Sequence, residues 1–529
     1  MLAVLQDAPM WPCPGRFAAE SALRPSWYRV VVMSERQFDV IIVGAGFGGI
    51  GAAIQLKRLG YDNILIVDRE DDLGGTWHVN HYPGLSVDQP SPTFSYWFEP
   101  NPYWSRLYAP GAELKRYAGH VADKYDVRRF MRFNTTVDGA RWDDDAKVWR
   151  VALAGGETLS AQFLIAATGF LCQPKTPDIP GIETFGGRII HTAAWDDSYS
   201  LAGRRAAVIG TGSTGVQVIP ELAKEVAELT VYQRTPIWVL PKLDVPFPPA
   251  VQRLFATMPP TQRILRWCTD TSLEFMMVVT MWKYRYFKLA NKAISRVSKI
   301  HRLLLVQDKQ LSRNMNPDFD FGCKRPTISN SYYRAFTKPH VRLETNGIER
   351  IEPDGIVACD GAKRFIDTLV LATGFDVWEA NLPAIEVIGR EGRNLGKWWR
   401  ETRFQAYQGI SVPYFPNFLT MASPYAWVGL SWFNTVEYQM RHMNRLFGAL
   451  QQRGARTFEV TEQANASFLD RMTTLLEDSA FHLGSCATSR SYWFRNHTGK
   501  GEAPLFRPTS VRSAVKEQDR FPLSDYAIA

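Results

Sequence analysis

The residues in this chain with the clearest chemical bias fall into two sets, each built on closely spaced glycines. Gly44, Gly46 and Gly49 stand in G-x-G-x-x-G spacing, and Asp68 follows Gly44 by 24 residues. Gly210, Gly212 and Gly215 repeat the spacing, and Arg234 follows Gly210 by the same 24 residues. The first glycine of such a set suits a tight turn, the second lets backbone approach a pyrophosphate, and the third lets helix and strand pack closely. The later residue meets the ribose. A carboxylate there favours free hydroxyls, whereas a guanidinium pairs with a 2′-phosphate. The first set therefore fits FAD and the second NADPH, with Ser213, Thr214 and Thr235 counted among the residues of the second nucleotide site.

The flanking sequence supplies the elements that position these groups. Phe38 and Val40 to Val43 form a near-continuous apolar run, as expected for a parallel strand buried on both faces. Ile50, Ile54 and Leu56 continue as a helix that Gly60 is placed to end, and a second strand runs from Ile64 to Val67. The amides at that helix's N-terminus would face phosphate oxygens. The second unit repeats the order: Ala206 to Ile209, then a helix, then a strand from Leu229 to Tyr232. A strand followed by Ala-Thr-Gly occurs twice, as Leu164 to Phe170 and as Leu369 to Phe375, and marks two crossings between nucleotide-binding domains. The fold class is α/β, with two Rossmann-like dinucleotide-binding domains, for FAD and NADPH, and a helical insertion.

Composition narrows the partners. A chain of 529 residues has ample length for several structural units. The net charge of +8 suits anionic cofactors and does not argue for nucleic acid. No apolar run approaches the roughly 18 residues that span a bilayer. The six cysteines (Cys13, Cys172, Cys268, Cys323, Cys359 and Cys486) are scattered without a C-x-x-C pair. That spacing disfavours a redox disulfide or a zinc cluster and fits the reducing setting of a cytoplasmic protein. Residues 1–34 lack the basic start and apolar block of a signal peptide and are read as a disordered extension.

Three further stretches carry a family resemblance. Gly74 to Asp88, GGTWHVNHYPGLSVD, follows the first nucleotide unit directly; its glycine pair permits close backbone approach and Trp77 can lie against a flat ring. Phe185, Gly187, His191, Trp195 and Asp196 have the spacing F-x-G-x-x-x-H-x-x-x-W-D, and Gly322 to Pro326 reads GCKRP. Together these resemble the class B flavoprotein monooxygenases, in particular the type I Baeyer–Villiger branch. The resemblance covers the chain from Phe38 onward. It implies that Gly75, Thr76 and Trp77 seat the flavin, that Lys324 meets the 2′-phosphate, and that Arg325 with Asp88 stands beside the flavin ring. It assigns His191 to coupling domain movement with cofactor placement. The implied reaction is oxygenation of a lipophilic ketone to an ester or lactone through a flavin C4a-peroxide, at the expense of NADPH and O₂. Oxygenation of sulfur or nitrogen, and an NADPH-dependent flavin reductase that never activates oxygen, are the alternatives. At Ser423 the family usually has Gly.

The expected domains are 35–172 with 376–529 for FAD, 173–240 with 322–375 for NADPH, and 241–321 as the insertion. Within the insertion, Lys288, Lys292, Arg296 and Lys299 share one helical face and Tyr286, Ala290, Ala293, Val297, Ile300 and Leu304 the other. This is read as the solvated face of a helical subdomain in preference to a membrane-surface patch. Removing a charge-assisted hydrogen bond costs roughly 1.5–3 kcal/mol, about ten- to a hundredfold in affinity. Arg234→Ala should therefore raise the KM for NADPH by that factor and leave NADH kinetics nearly unchanged; equal losses with both nucleotides would make Arg234 structural.

Overall fold

The computed structural model describes residues 37–429, 431–495 and 506–529. The expectation for residues 1–34 lies outside the described residues. The strand Phe38–Val43, the helix Phe47–Arg58 and the strand Ile64–Val67 form where the apolar run and the glycines place them. The two strands pair in parallel, Val40 opposite Ile64 through Val43 opposite Val67. On its other side Phe38–Val43 pairs in parallel with Thr158–Ala166, the strand that leads into the first Ala-Thr-Gly crossing. An eight-stranded sheet grows from this centre. It takes in the antiparallel strands Val137–Asp143 and Val148–Leu153, together with Phe418–Thr420, which returns from late in the chain to the end of Thr158–Ala166.

The second sheet repeats the first around different residues. Its five strands are all parallel, in the spatial order Val341–Glu344, Glu228–Tyr232, Arg205–Ile209, Thr368–Leu371 and Arg188–His191. The helix Ser213–Leu222 follows Arg205–Ile209, as Phe47–Arg58 follows its own strand. In both units the strand entering an Ala-Thr-Gly segment lies beside the strand entering the glycines. The two crossings also meet each other: Lys175 N–H donates to Gly374 O at 2.9 Å and Asp376 N–H to Gln173 O at 2.8 Å. The repeated motif thus marks one antiparallel crossing point, built from both passages of the chain.

Glycine is required at these turns for a steric reason. Gly44 and Gly210 have φ of +111° and +110°, and a Cβ on either would lie 2.5 Å from Ala167 O or 2.4 Å from Ala372 O, the first residue of each crossing. A Cβ on Gly49 would come within 1.9 Å of Gly44 O, and one on Gly215 within 2.4 Å of Gly210 O. Gly212 differs, because nothing lies within 4 Å of its missing Cβ. Backbone cannot clear such contacts cheaply, and open space needs no clearing.

Two expectations are corrected by the fold. Cys323 and Cys486, 163 residues apart in sequence, form a disulfide. Spacing along the chain cannot reveal a pair that only tertiary folding brings within reach, so the expectation drawn from scattered cysteines in a reducing setting does not extend to these two. Both are buried, which closes the bond to an external thiol and makes it a brace between the GCKRP loop and the segment after residue 480. The second correction concerns the insertion, whose main helices are Pro249–Thr257, Pro259–Met277 and Tyr284–Leu305. The basic face of Tyr284–Leu305 is solvated as expected, but so are Tyr286, Val297, Ile300 and Leu304, while the buried stripe is polar. No helix among the described residues is long and apolar enough to cross a membrane.

Overpacking against backbone typically costs about 1–3 kcal/mol. Gly49→Ala and Gly215→Ala should each lower the free energy of unfolding by that order, seen as a lower thermal unfolding midpoint, whereas Gly212→Ala should leave the midpoint at the native value.

Candidate functional site

The loop from Gly74 to Asp88 is the hub on which both nucleotide units converge. Gly74 and Gly75 have φ of +117° and +53°, and a Cβ on Gly75 would lie 3.1 Å from Gly46 Cα. The two glycine loops of the first unit therefore face each other backbone to backbone, leaving a cradle without side chains. Thr76 and Trp77 open a single helical turn, and Trp77 meets Phe94 edge-on with ring centroids 5.4 Å apart. Asp68 accepts from Ala45 N–H at 2.6 Å and from Glu70 N–H at 3.0 Å, which orients its carboxylate on the glycine turn. Burial raises its pKa despite those two bonds.

The same loop then leaves the first unit. Tyr82 packs in the core of the second and donates to Gln217 Oε1 at 2.9 Å, and Gln217 Nε2 returns a bond to Ser86 O at 2.8 Å. A Cβ on Gly84 would lie 2.7 Å from Gln217 O, so Tyr82-Pro83-Gly84 fits flush against the helix Ser213–Leu222. Sequence reasoning placed this stretch in the flavin seat and missed its second task. Its signal was the Tyr-Pro-Gly turn, whose partner Gln217 has no motif of its own.

Asp88 ends the loop in a bidentate ion pair. Arg325 Nε donates to Asp88 Oδ2 at 3.0 Å, and Nη2 donates to Oδ1 at 2.9 Å. Burial opposes the charge on Arg325, but Asp88 and then Tyr492 outweigh it, and the guanidinium's pKa lies above its ordinary value. Its carbon lies 5.6 Å from the ring centroid of Trp427, which in turn stacks on Phe170 and Phe506. Trp427 Nε1 is buried without a partner among the described residues, a donor open to a ligand.

Lys324 turns to a different group. Burial, and after it the charge of Arg234, lower its pKa to about 8. Arg234 is itself lowered, by burial and then by Arg490. Lys324 and Arg490 thus each stand close enough to repel Arg234, an arrangement that would favour a bound anion. Arg490 and Tyr492 were not foreseen. They lie in a segment without a motif, joined to the GCKRP loop by the Cys323–Cys486 bond.

His191 stands at the crossing point. Its Nδ1 accepts from Ala193 N–H at 3.0 Å, which leaves the proton on Nε2, 3.4 Å from Thr373 Oγ1. Its ring meets Phe375 edge-on, and burial lowers its pKa, so the imidazole is neutral near pH 7. Ser213 and Thr214 begin the helix after Gly212, and Thr235 accepts from Thr211 Oγ1 through its carbonyl at 3.2 Å. The structure brings Asp88 and Arg325 together and draws Lys324 to Arg234. Asp68 and His191 remain at separate points, one on the first glycine turn and the other on the crossing. Ser423, where Gly was expected, is buried.

Comparison with known proteins agrees with this geometry. Residues 38–258 match the family model described as pyridine nucleotide-disulphide oxidoreductase. A Baeyer–Villiger monooxygenase of Streptomyces coelicolor is 32% identical over 494 residues, covering 92% of each chain. The chain belongs to the Baeyer–Villiger monooxygenase family. Cyclohexanone monooxygenase from Rhodococcus sp. Phi1 bound to NADP⁺ superposes with a TM-score of 0.80 at 27% identity, over 93% of this chain and 98% of that one. OTEMO in complex with FAD and NADP gives 0.81 at 25% identity, over 93% and 100%. This Baeyer–Villiger family member is accordingly an FAD-dependent monooxygenase that uses NADPH. The side-chain-free cradle at Gly46 and Gly75, and the cation cluster at Lys324, fit those two groups.

An anion set among Arg234, Lys324 and Arg490 would restore the proton that Lys324 holds weakly. Binding should therefore weaken as pH rises through about 8, by up to ~tenfold per pH unit for one linked proton. The KM for NADPH should show that rise, NADH should not, and Lys324→Arg should flatten the profile. A flat profile in the native enzyme would remove Lys324 from the site.

Proposed function

We propose that this enzyme oxygenates a lipophilic ketone to an ester or lactone, consuming NADPH and O₂ and releasing water and NADP⁺. The observation that carries the reading is the bidentate Arg325–Asp88 pair, set where the Gly74–Asp88 loop, the GCKRP loop and Trp427 converge. The name of the neighbouring cyclohexanone monooxygenase supports a ketone. FAD, when bound, accepts hydride from NADPH and activates O₂.

The protein's own groups position these partners and stabilise charge. Gly44, Gly46, Gly49, Gly75, Thr76, Trp77 and Asp68 would hold FAD, the two glycine loops offering it a cradle free of side chains. Gly210, Gly212, Ser213, Thr214, Gly215 and Thr235 hold the nicotinamide nucleotide, while Arg234 and Lys324 take its 2′-phosphate. Arg325 supplies a fixed cation where negative charge develops on oxygen, and Asp88 orients it without neutralising its outer face. His191 is a positioning residue. As a neutral imidazole it reports the state of the crossing through Thr373 and takes no substrate proton. The domains are taken as 35–172 with 376–529 for FAD, 173–240 with 322–375 for NADPH and 241–321 as the insertion, and the use of NADPH supports a cytoplasmic setting.

The test is product analysis with isotopically labelled O₂ over a panel of ketones and sulfides. One labelled atom should appear in an ester or lactone; label in sulfoxide alone would replace the carbonyl reading, and unlabelled products with hydrogen peroxide would make the enzyme a reductase. Removing one preorganised charge donor typically costs about 10²–10³ in rate. Arg325→Ala should lose labelled product by that factor while still oxidising NADPH and releasing hydrogen peroxide, and Asp88→Ala should do so more mildly.

A further inference from the structure

Twelve of the eighteen large apolar side chains exposed among the described residues lie between Leu254 and Leu304. Single exposed apolar residues are ordinary, but such a concentration in one insertion is not. In the helix Tyr284–Leu305 the usual amphipathic order is reversed. Asn291, Ser298 and Arg302 are 1%, 0% and 2% exposed, whereas Leu289 and Leu304 are 81% and 71% exposed.

The polar stripe is anchored by specific bonds. Asn291 Nδ2 donates to Thr280 O at 2.9 Å and to Phe321 O at 2.8 Å, Ser298 Oγ donates to Val239 O at 2.8 Å, and Arg302 Nε donates to Ser312 Oγ at 3.2 Å. These bonds set the rotation of the helix. At 3.6 residues per turn, Leu289, Val297, Ile300 and Leu304 then fall on the opposite side, facing water. A helix of a globular protein turns its apolar stripe inward; rotating this one to do so would break all four bonds and bury lysines. The preceding helix adds Ile264, Trp267 and Phe275, exposed at helical spacing.

Charge identifies what covers this face. Lys288, Lys292, Arg296 and Lys299 are exposed along one border of the apolar stripe. No acidic residue occurs between Trp282 and Gln307 to neutralise them. A second copy of this chain would bring like charges together across the contact, whereas an anionic surface with an apolar interior matches both features. We infer that this face docks on an anionic lipid bilayer, with the helix lying in the interface, its apolar stripe among the acyl chains and its basic border on the headgroups. The attachment is peripheral, since no described helix can cross a membrane.

The test uses the full-length, flavin-loaded enzyme sedimented with vesicles of phosphatidylcholine alone or with about one-third phosphatidylglycerol. The enzyme should pellet with the anionic vesicles only, and release as salt shortens the screening length. Lys292→Ala and Lys299→Ala should each weaken partitioning about fivefold. Ile300→Asn combined with Leu304→Asn should abolish it, with flavin content unchanged and the thermal midpoint nearly so, because both side chains are largely exposed. Equal partitioning into the two vesicle types, or none into either, would overturn the inference. So would a self-association, seen by analytical ultracentrifugation, that the Ile300→Asn and Leu304→Asn pair removes.

Discussion

The Arg325–Asp88 ion pair is the contact on which the rest of the arrangement depends. A largely buried pair of charges is a poor source of stability, because desolvation offsets much of the attraction. Both partners also come from loops, whose positions are less constrained than those of strands. Each loop is correspondingly braced. Asp88 is set by Gly75 against Gly46 on one side and by Tyr82 and Gln217 on the other. Arg325 is set by the Cys323–Cys486 bond and by Tyr492.

Around that pair the molecule repeats one solution twice. In each unit the chain leaves a central strand through a glycine whose missing Cβ accommodates the first carbonyl of a crossing, Ala167 in one case and Ala372 in the other. The turn and the crossing are therefore in close backbone contact in both units. His191 lies where the two crossings pair. The repetition ends 24 residues after the first glycine of each unit, where Asp68 is held by backbone amides and Arg234 sits among other cations. Backbone sterics are shared between the units, and the side chain at this position differs in charge.

The insertion relates to this centre through its buried polar stripe. Asn291 bonds the carbonyl of Phe321, the residue immediately before the GCKRP loop, so the exposed helix and the loop bearing Lys324 and Arg325 are directly joined. The nearby Trp282 packs against Phe481 and Phe506, and Phe506 stacks on Trp427 beneath Arg325. A chain of ring contacts thus connects the foot of the insertion to the ion pair.

The amino-acid sequence by itself determined the two nucleotide units, their order, the charge that separates them and the crossings between them. These features are legible because they rest on short-range rules: glycine where backbone must approach backbone, apolar runs for buried parallel strands, and one charged residue at a set distance. It also named both members of the Arg325–Asp88 pair through a resemblance, though not through spacing, since 237 residues separate them. Only the tertiary structure decided that Cys323 meets Cys486, that Arg490 and Tyr492 join the cation sites, and that Tyr82 belongs to the second core. These partners share no local pattern, and their meeting depends on where distant segments are carried. The same holds for the helix Tyr284–Leu305. Its periodicity declared two faces, but which face turned inward was settled by hydrogen bonds to Val239, Thr280 and Phe321, and these outweighed hydrophobicity.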